Sequence, residues 1–156
     1  MNKRKSTIIW LFAACFLLFA PCLFASPAAL EMDALLQTPA VSYGQAARFI
    51  LEASDRAVFA DPEEAFRYAL DKNWLPGNVS AGQAARLDVI SRLFMNAFEI
   101  RGGLFYTLTG RPWYAYRELV YLSFIQGRTE PGMMVSGELL LFITTRIMTD
   151  HQGAAL

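Results

Sequence analysis

The chain has 156 residues, room for one domain with or without a targeting segment, and it carries 14 basic and 14 acidic side chains. Hydrophobic residues make up 54% of it and aromatics 13%, enough to build a sizeable core. A single histidine, two cysteines and no basic run beyond the first residues argue against thiol catalysis, a Cys/His metal site and electrostatic capture of nucleic acid or anionic lipid.

The chain opens with basic Asn2-Lys3-Arg4-Lys5, then the apolar run Ile8 to Ala20, then Pro21 and the small-residue stretch "FASPAA". That order is the pattern of a secretory signal peptide, with cleavage expected after Ala25 and Ala28 as second choice. The alternatives are an uncleaved anchor or lipidation at Cys15 or Cys22, against which Pro21 and the residues around each cysteine argue. These are also the only routes to a membrane that the sequence offers. Cleavage removes both cysteines and leaves eleven basic residues against 14 acidic, a net charge of −3. The expected organisation is residues 1–25 as signal, one helical domain over 26–150, and a frayed tail over 151–156.

Beyond the signal, helix punctuation is plentiful and strand patterns are weak. "SPAALEMDALLQ" predicts a short helix ending near Thr38-Pro39. Ser42 opens the next. Asp61-Pro62-Glu63-Glu64 is a strong helix start: a capping carboxylate, a proline that needs no donor, and two acids at the positive end of the dipole. That helix should run to about Asn73 and stop at "WLPGN". Another is expected from Ser80 to about Ile100, on the stripe Val79, Ala84, Leu87, Ile90, Leu93, Phe94 and Ala97. Arg101-Gly102-Gly103 ends it, and "LFYTLTGR" reads as a loop. Pro112 starts a helix through about Phe124, and a last helix is expected from about Ser136 to Thr149.

Gly-Gln-Ala-Ala-Arg occurs twice, 38 positions apart, in "SYGQAAR" from Ser42 and "SAGQAAR" from Ser80. Ser42 with Gln45 and Ser80 with Gln83 have capping-box spacing. Both stretches therefore read as helix starts, with Gly44 and Gly82 marking close packing between units. Val135-Ser136-Gly137-Glu138 reads as a third copy. Arg48 and Arg86, placed where the dipole disfavours a cation, are expected to reach a carboxylate or carbonyl elsewhere. Ala65-Phe66-Arg67 with Trp74-Leu75-Pro76-Gly77 also matches Ala115-Tyr116-Arg117 with Phe124-Ile125-Gln126-Gly127 at an offset of 50. The implied internal repeat is roughly 40 to 55 residues long.

The stretches Pro112 to Ile147, Pro62 to Phe98 and Val41 to Ala53 resemble S-layer homology repeats. The resemblance implies an all-α bundle of two to three helix-turn-helix units, near 27–55, 61–100 and 112–149, in an exported bacterial envelope protein. It also implies binding of peptidoglycan or wall-linked glycan in grooves between units. The arginine with which that family contacts its anionic glycan is missing at all three helix starts, and only Glu138 keeps the acid. The resemblance thus carries the fold further than the ligand.

Catalytic chemistry is hard to assemble. His151 lies in the expected tail, Glu63-Glu64 serve the dipole, and Gly102-Gly103 is turn chemistry, so no enzyme, metal or cofactor is expected. Asn78-Val79-Ser80 fits a glycosylation acceptor only formally. The aromatic residues Trp74, Trp113, Tyr114, Tyr116, Tyr121 and Phe124 crowd two equivalent turns beside Arg67 and Arg117. Most should pack inward, but "RPWYAYRE" has more aromatic and charged residues than one helix can bury. The candidate ligand-binding set is Trp74, Trp113, Tyr116, Arg67, Arg117 and Glu138. "GGLFYTLTG" either covers the core or forms an interaction surface. The leading expectation is a periplasmic or envelope module that binds a wall component or an envelope protein. A carrier or sensor of a hydrophobic or lipid ligand is the alternative.

Overall fold

The structure, a computed structural model, describes residues 27–153. The proposed signal over 1–25, with both cysteines, and the side chain of His151 lie outside the described residues. Seven helices are present among the described residues: α1 (Pro27–Leu36), α2 (Tyr43–Ala53), α3 (Pro62–Asp71), α4 (Leu87–Ala97), α5 (Leu104–Thr109), α6 (Pro112–Tyr121) and α7 (Gly137–Gly153). Among the described residues there is no sheet, only two isolated bridges, and the fold is an all-α bundle. The chain divides between Asp33 and Ala34 into two compact units, and the architecture below is that of the second. No helix among the described residues is long and apolar enough to cross a membrane.

The helix starts follow local chemistry where no tertiary demand competes. Asp61 accepts from the Glu63 N–H at 3.0 Å, with Pro62 at the first helical position. Ser42 and Gln45 form the full capping box: Ser42 Oγ accepts from the Gln45 N–H at 3.2 Å, and Gln45 Oε1 accepts from the Ser42 N–H at 2.9 Å. Arg48 donates through Nε to the Phe59 carbonyl at 2.9 Å, and Arg86 meets the Asp88 carboxylate at 2.9 Å, as their positions led one to expect.

The second Gly-Gln-Ala-Ala-Arg copy departs from expectation. The helix begins at Leu87, not Ser80, and Arg86 sits at its N-cap position without a capping side chain. Ser80 and Gln83 keep only a turn, in which Gln83 Oε1 accepts from the Ser80 N–H at 3.4 Å. The cause is tertiary, because this backbone is used for pairing. The Tyr43 N–H donates to the Gln83 carbonyl at 3.0 Å and the Gly44 N–H to Ala81 at 2.9 Å. The two copies therefore bond to one another, and a shared pentapeptide adopts two conformations.

Three buried residues lie at the centre of this pairing. The Val41 N–H donates to the Val135 carbonyl at 2.8 Å, Val135 to Ala85 at 2.9 Å, and Ala85 to Val41 at 2.8 Å. The result is a closed ring in which each residue gives one bond and takes one. The residues that follow, Ser42, Arg86 and Ser136, immediately precede α2, α4 and α7. The first N–H groups of these helices, which a helix cannot satisfy itself, are met by neighbouring chain. Leu87 donates to Met133 at 2.9 Å, Asp88 to Pro131 at 2.8 Å, and Gly137 to Thr38 at 2.9 Å. That supply explains why α4 needs no capping side chain.

The offset of 50 read from the sequence recurs in the backbone bonds. Trp74 donates to Ala69 and Phe124 to Leu119, each at 2.9 Å, with Asn73 and Ser123 in the left-handed region at φ 56° and 62°. Asp55 and Glu99 close α2 and α4 the same way at φ 54° and 53°. Glycine usually fills this helix-ending position, so the expectation that Gly102-Gly103 ends α4 is corrected to Glu99. Gly127, at φ 87°, serves the loop beyond its helix, and Gly77 is not left-handed. Of the expected stripe, Leu87, Ile90, Leu93, Phe94 and Ala97 are buried on α4, whereas Val79 and Ala84 pack from the turn before it. α2 packs on α3 and α4, and α4 packs on α6.

Tyr43 is fully buried beside the ring, and its hydroxyl accepts from the Arg86 N–H at 3.2 Å. Desolvation, the largest influence, raises its phenol above the ordinary value of 10.0, and the Asp88 charge acts in the same direction. The folded phenol thus holds its proton to higher pH than the unfolded one. The stability that Tyr43 contributes is complete below about pH 10 and is lost as pH rises through the folded value. Denaturant titrations above pH 10 should show a steeper loss for the wild type than for Tyr43→Phe. Equal slopes would mean that the hydroxyl is not buried.

Candidate functional site

The six predicted site residues separate into inward and outward groups. Trp74 packs against the core, edge-on to Tyr68 at 6.1 Å, and Tyr68 in turn meets Phe59 at 5.4 Å. The Tyr116 hydroxyl donates to the Thr129 carbonyl at 2.8 Å and ties α6 to the following loop. Both side chains are engaged within the fold and only partly buried. Arg67 is exposed and lies 3.9 Å from Glu63 one helical turn back, a geometry worth little in water. Glu138 is exposed in the first turn of α7, favourably placed for the dipole.

Trp113 and Arg117 differ from these. They occupy the positions 50 residues beyond Glu63 and Arg67, but an indole replaces the carboxylate as the arginine's partner. The Arg117 guanidinium lies 5.1 Å from the Trp113 ring centre, and Trp113 remains 45% exposed. Tyr114 stands edge-on to Trp113 at 5.1 Å and stacks on Phe105 at 5.6 Å and 13°. Phe105, Tyr114, Trp113 and Arg117 thus form one continuous surface run across α5 and α6. Tyr121, 84% exposed, belongs to the same helix, whereas Phe124 is buried in the core.

The segment expected to be a loop supplies the first member of that run. Residues 104–109 are helical, because Gly103 opens and left-handed Gly110 closes a short turn of helix. Of the two readings of this segment, core cover or surface, the structure divides them by residue. Tyr106 packs inward, its hydroxyl accepting from Asn96 Nδ2 at 3.2 Å, and burial raises its phenol above the usual value. Gly102 allows this, since a Cβ there would overlap the Tyr106 ring. Leu104, Phe105 and Leu108 point outward, 70%, 63% and 73% exposed. Their only signal in the sequence is an apolar run between two glycines, which cannot tell a covering loop from a presented face.

In comparisons with known proteins, no family model, no curated protein and no solved structure matches the chain. What the site can do therefore rests on its own geometry. A tryptophan face, a tyrosine edge and a guanidinium lie side by side on a rigid helix. They offer dispersion contact to a flat apolar ring and charge to an anion beside it.

Proposed function

We propose that the chain is a non-enzymatic, exported module of the cell envelope that binds peptidoglycan or wall-linked glycan through Trp113, Tyr114 and Arg117. The observation that carries this reading is the exposed Trp113 indole with Arg117 held 5.1 Å from it. The C–H face of a pyranose stacks on such a ring, and a neighbouring carboxylate pairs with the guanidinium. Tryptophan and arginine are also the residues that most often dominate a binding surface. The export pattern over residues 1–25 supports placement in the envelope. The likeness of the motifs to S-layer homology repeats bears on the fold; the family's glycan-contacting arginine is missing, so the wall ligand rests on Trp113 and Arg117. The interior apolar side chains pack on one another in one cluster, which favours surface binding over carriage of an internal ligand.

Co-sedimentation with purified sacculi tests the reading. The wild type should pellet, and Trp113→Ala/Arg117→Ala should bind at least about tenfold more weakly, a loss of about 1.4 kcal/mol. Both side chains are outside the core, so the circular dichroism spectrum should not change. Undiminished binding by the double variant, or none by the wild type, would overturn the assignment.

A further inference from the structure

We propose that α5 is a membrane-docking element that inserts Leu104, Phe105 and Leu108 into the interfacial layer of an anionic phospholipid bilayer. The inference is independent of wall binding. Leu108 lies four residues from Leu104 and three from Phe105, so it shares a helix face with each of them. Folding gives no reason to present them, because α5 reaches the core through Tyr106 alone among its six residues. Stacking of Phe105 on Tyr114 holds the helix on α6, so the apolar tip is displayed on a fixed base.

Both hydroxyls of α5 are spent internally. Thr107 Oγ1 donates to the Gly103 carbonyl at 3.1 Å, and Thr109 Oγ1 donates to Phe105 at 2.7 Å. The Gly110 N–H closes the helix on the Tyr106 carbonyl at 2.7 Å. Paired hydroxyls spare a helix in the headgroup layer the cost of desolvating them unbonded.

Charge selects the kind of surface. Arg101 and Arg111 are exposed at the two ends of α5, and the stretch from Arg101 to Arg117 contains three arginines and no acid. Of the nearest carboxylates, Glu99 is held by Arg56 at 2.7 Å, and Glu118 lies beside Gly103 at the start of the helix. A local cation pair on a chain that is otherwise acidic suits headgroup phosphates. A six-residue helix is only about 9 Å long, too small a face for a stable protein interface. It is large enough for reversible interfacial docking reinforced by arginines.

Hydrogen–deuterium exchange of the full chain, with and without vesicles, tests this at the helix itself. The amides of 104–109 should exchange at least about tenfold more slowly on vesicles of phosphatidylcholine with about one-third phosphatidylglycerol. Leu104→Ser/Leu108→Ser should abolish that protection. Arg101→Gln/Arg111→Gln should weaken it about fivefold per arginine. Both variants keep Phe105, Tyr114, Trp113 and Arg117, so sacculus binding should persist in each, and failure of either proposal is seen separately. No protection on vesicles, protection that survives Leu104→Ser/Leu108→Ser, or protection conferred only by lipid-free envelope protein would overturn the proposal.

Discussion

Gly137→Ala should lower stability by about 3 kcal/mol, seen as a fall of roughly 10 °C in the thermal midpoint. In an ordinary helix this exchange is favourable, because glycine carries a propensity cost of about 1 kcal/mol relative to alanine. Here the added Cβ would overlap the Leu35 carbonyl carbon and oxygen, and both are backbone atoms with no rotamer to yield. The same glycine donates its N–H to the Thr38 carbonyl at 2.9 Å, so the start of α7 cannot retreat without losing a bond. A Cβ added at Gly44 would stand 3.0 Å from the Pro62 carbonyl oxygen, and alanine there should be tolerated at a smaller cost, about 1 kcal/mol. Gly82→Ala should cost nothing, since a Cβ there meets no atom within 4 Å. Three glycines that look equivalent in the sequence should thus give three different midpoints. Equal midpoints would sink the packing argument.

The second large effect is expected at the ring. Ala85→Pro removes the N–H that donates to Val41 and leaves that buried carbonyl without its donor. An unmet buried polar group costs about 1 to 3 kcal/mol. The proline ring must also fit at a fully buried position. The combined loss should reach about 3 kcal/mol or prevent folding. Amide exchange gives a second readout in the wild type: Val41, Ala85 and Val135 should exchange only through global unfolding. In Ala85→Pro the Val41 and Val135 amides should lose that protection together. If Val135 kept its protection, the three bonds would not be acting as one unit.

Local signals were readable in the sequence where a helix start is closed by its own side chains. Asp61-Pro62 and the box of Ser42 and Gln45 both form as their residues dictate. The Ser80 start could not be read, because its outcome depends on residues more than 35 positions away. An identical pentapeptide becomes part of a bonding edge once Tyr43 and Gly44 claim the carbonyls of Gln83 within it and of Ala81 just before it. α5 was missed for a related reason: six residues are too few to show a helical period. Of the site, Trp113 and Arg117 stood out because aromatic and charged residues exceeded what one helix can bury. Trp74 and Tyr116 carried the same signal and turned inward, and only packing distinguishes the two pairs.

The ring also sets the order in which the chain can be completed. Its members are Val41, Ala85 and Val135, so its bonds close loops of 44 and 50 residues and, between the outer members, one of 94 that contains five of the seven described helices. The helices can form early from local contacts, but loop closure of this kind comes late and contributes only when all three segments are present. An emerging chain that has not yet released Val135 holds two of the three partners, with unpaired groups on both. The centre of the fold therefore cannot lock before Val135 has been released, and no N-terminal piece that stops short of it can reproduce the ring.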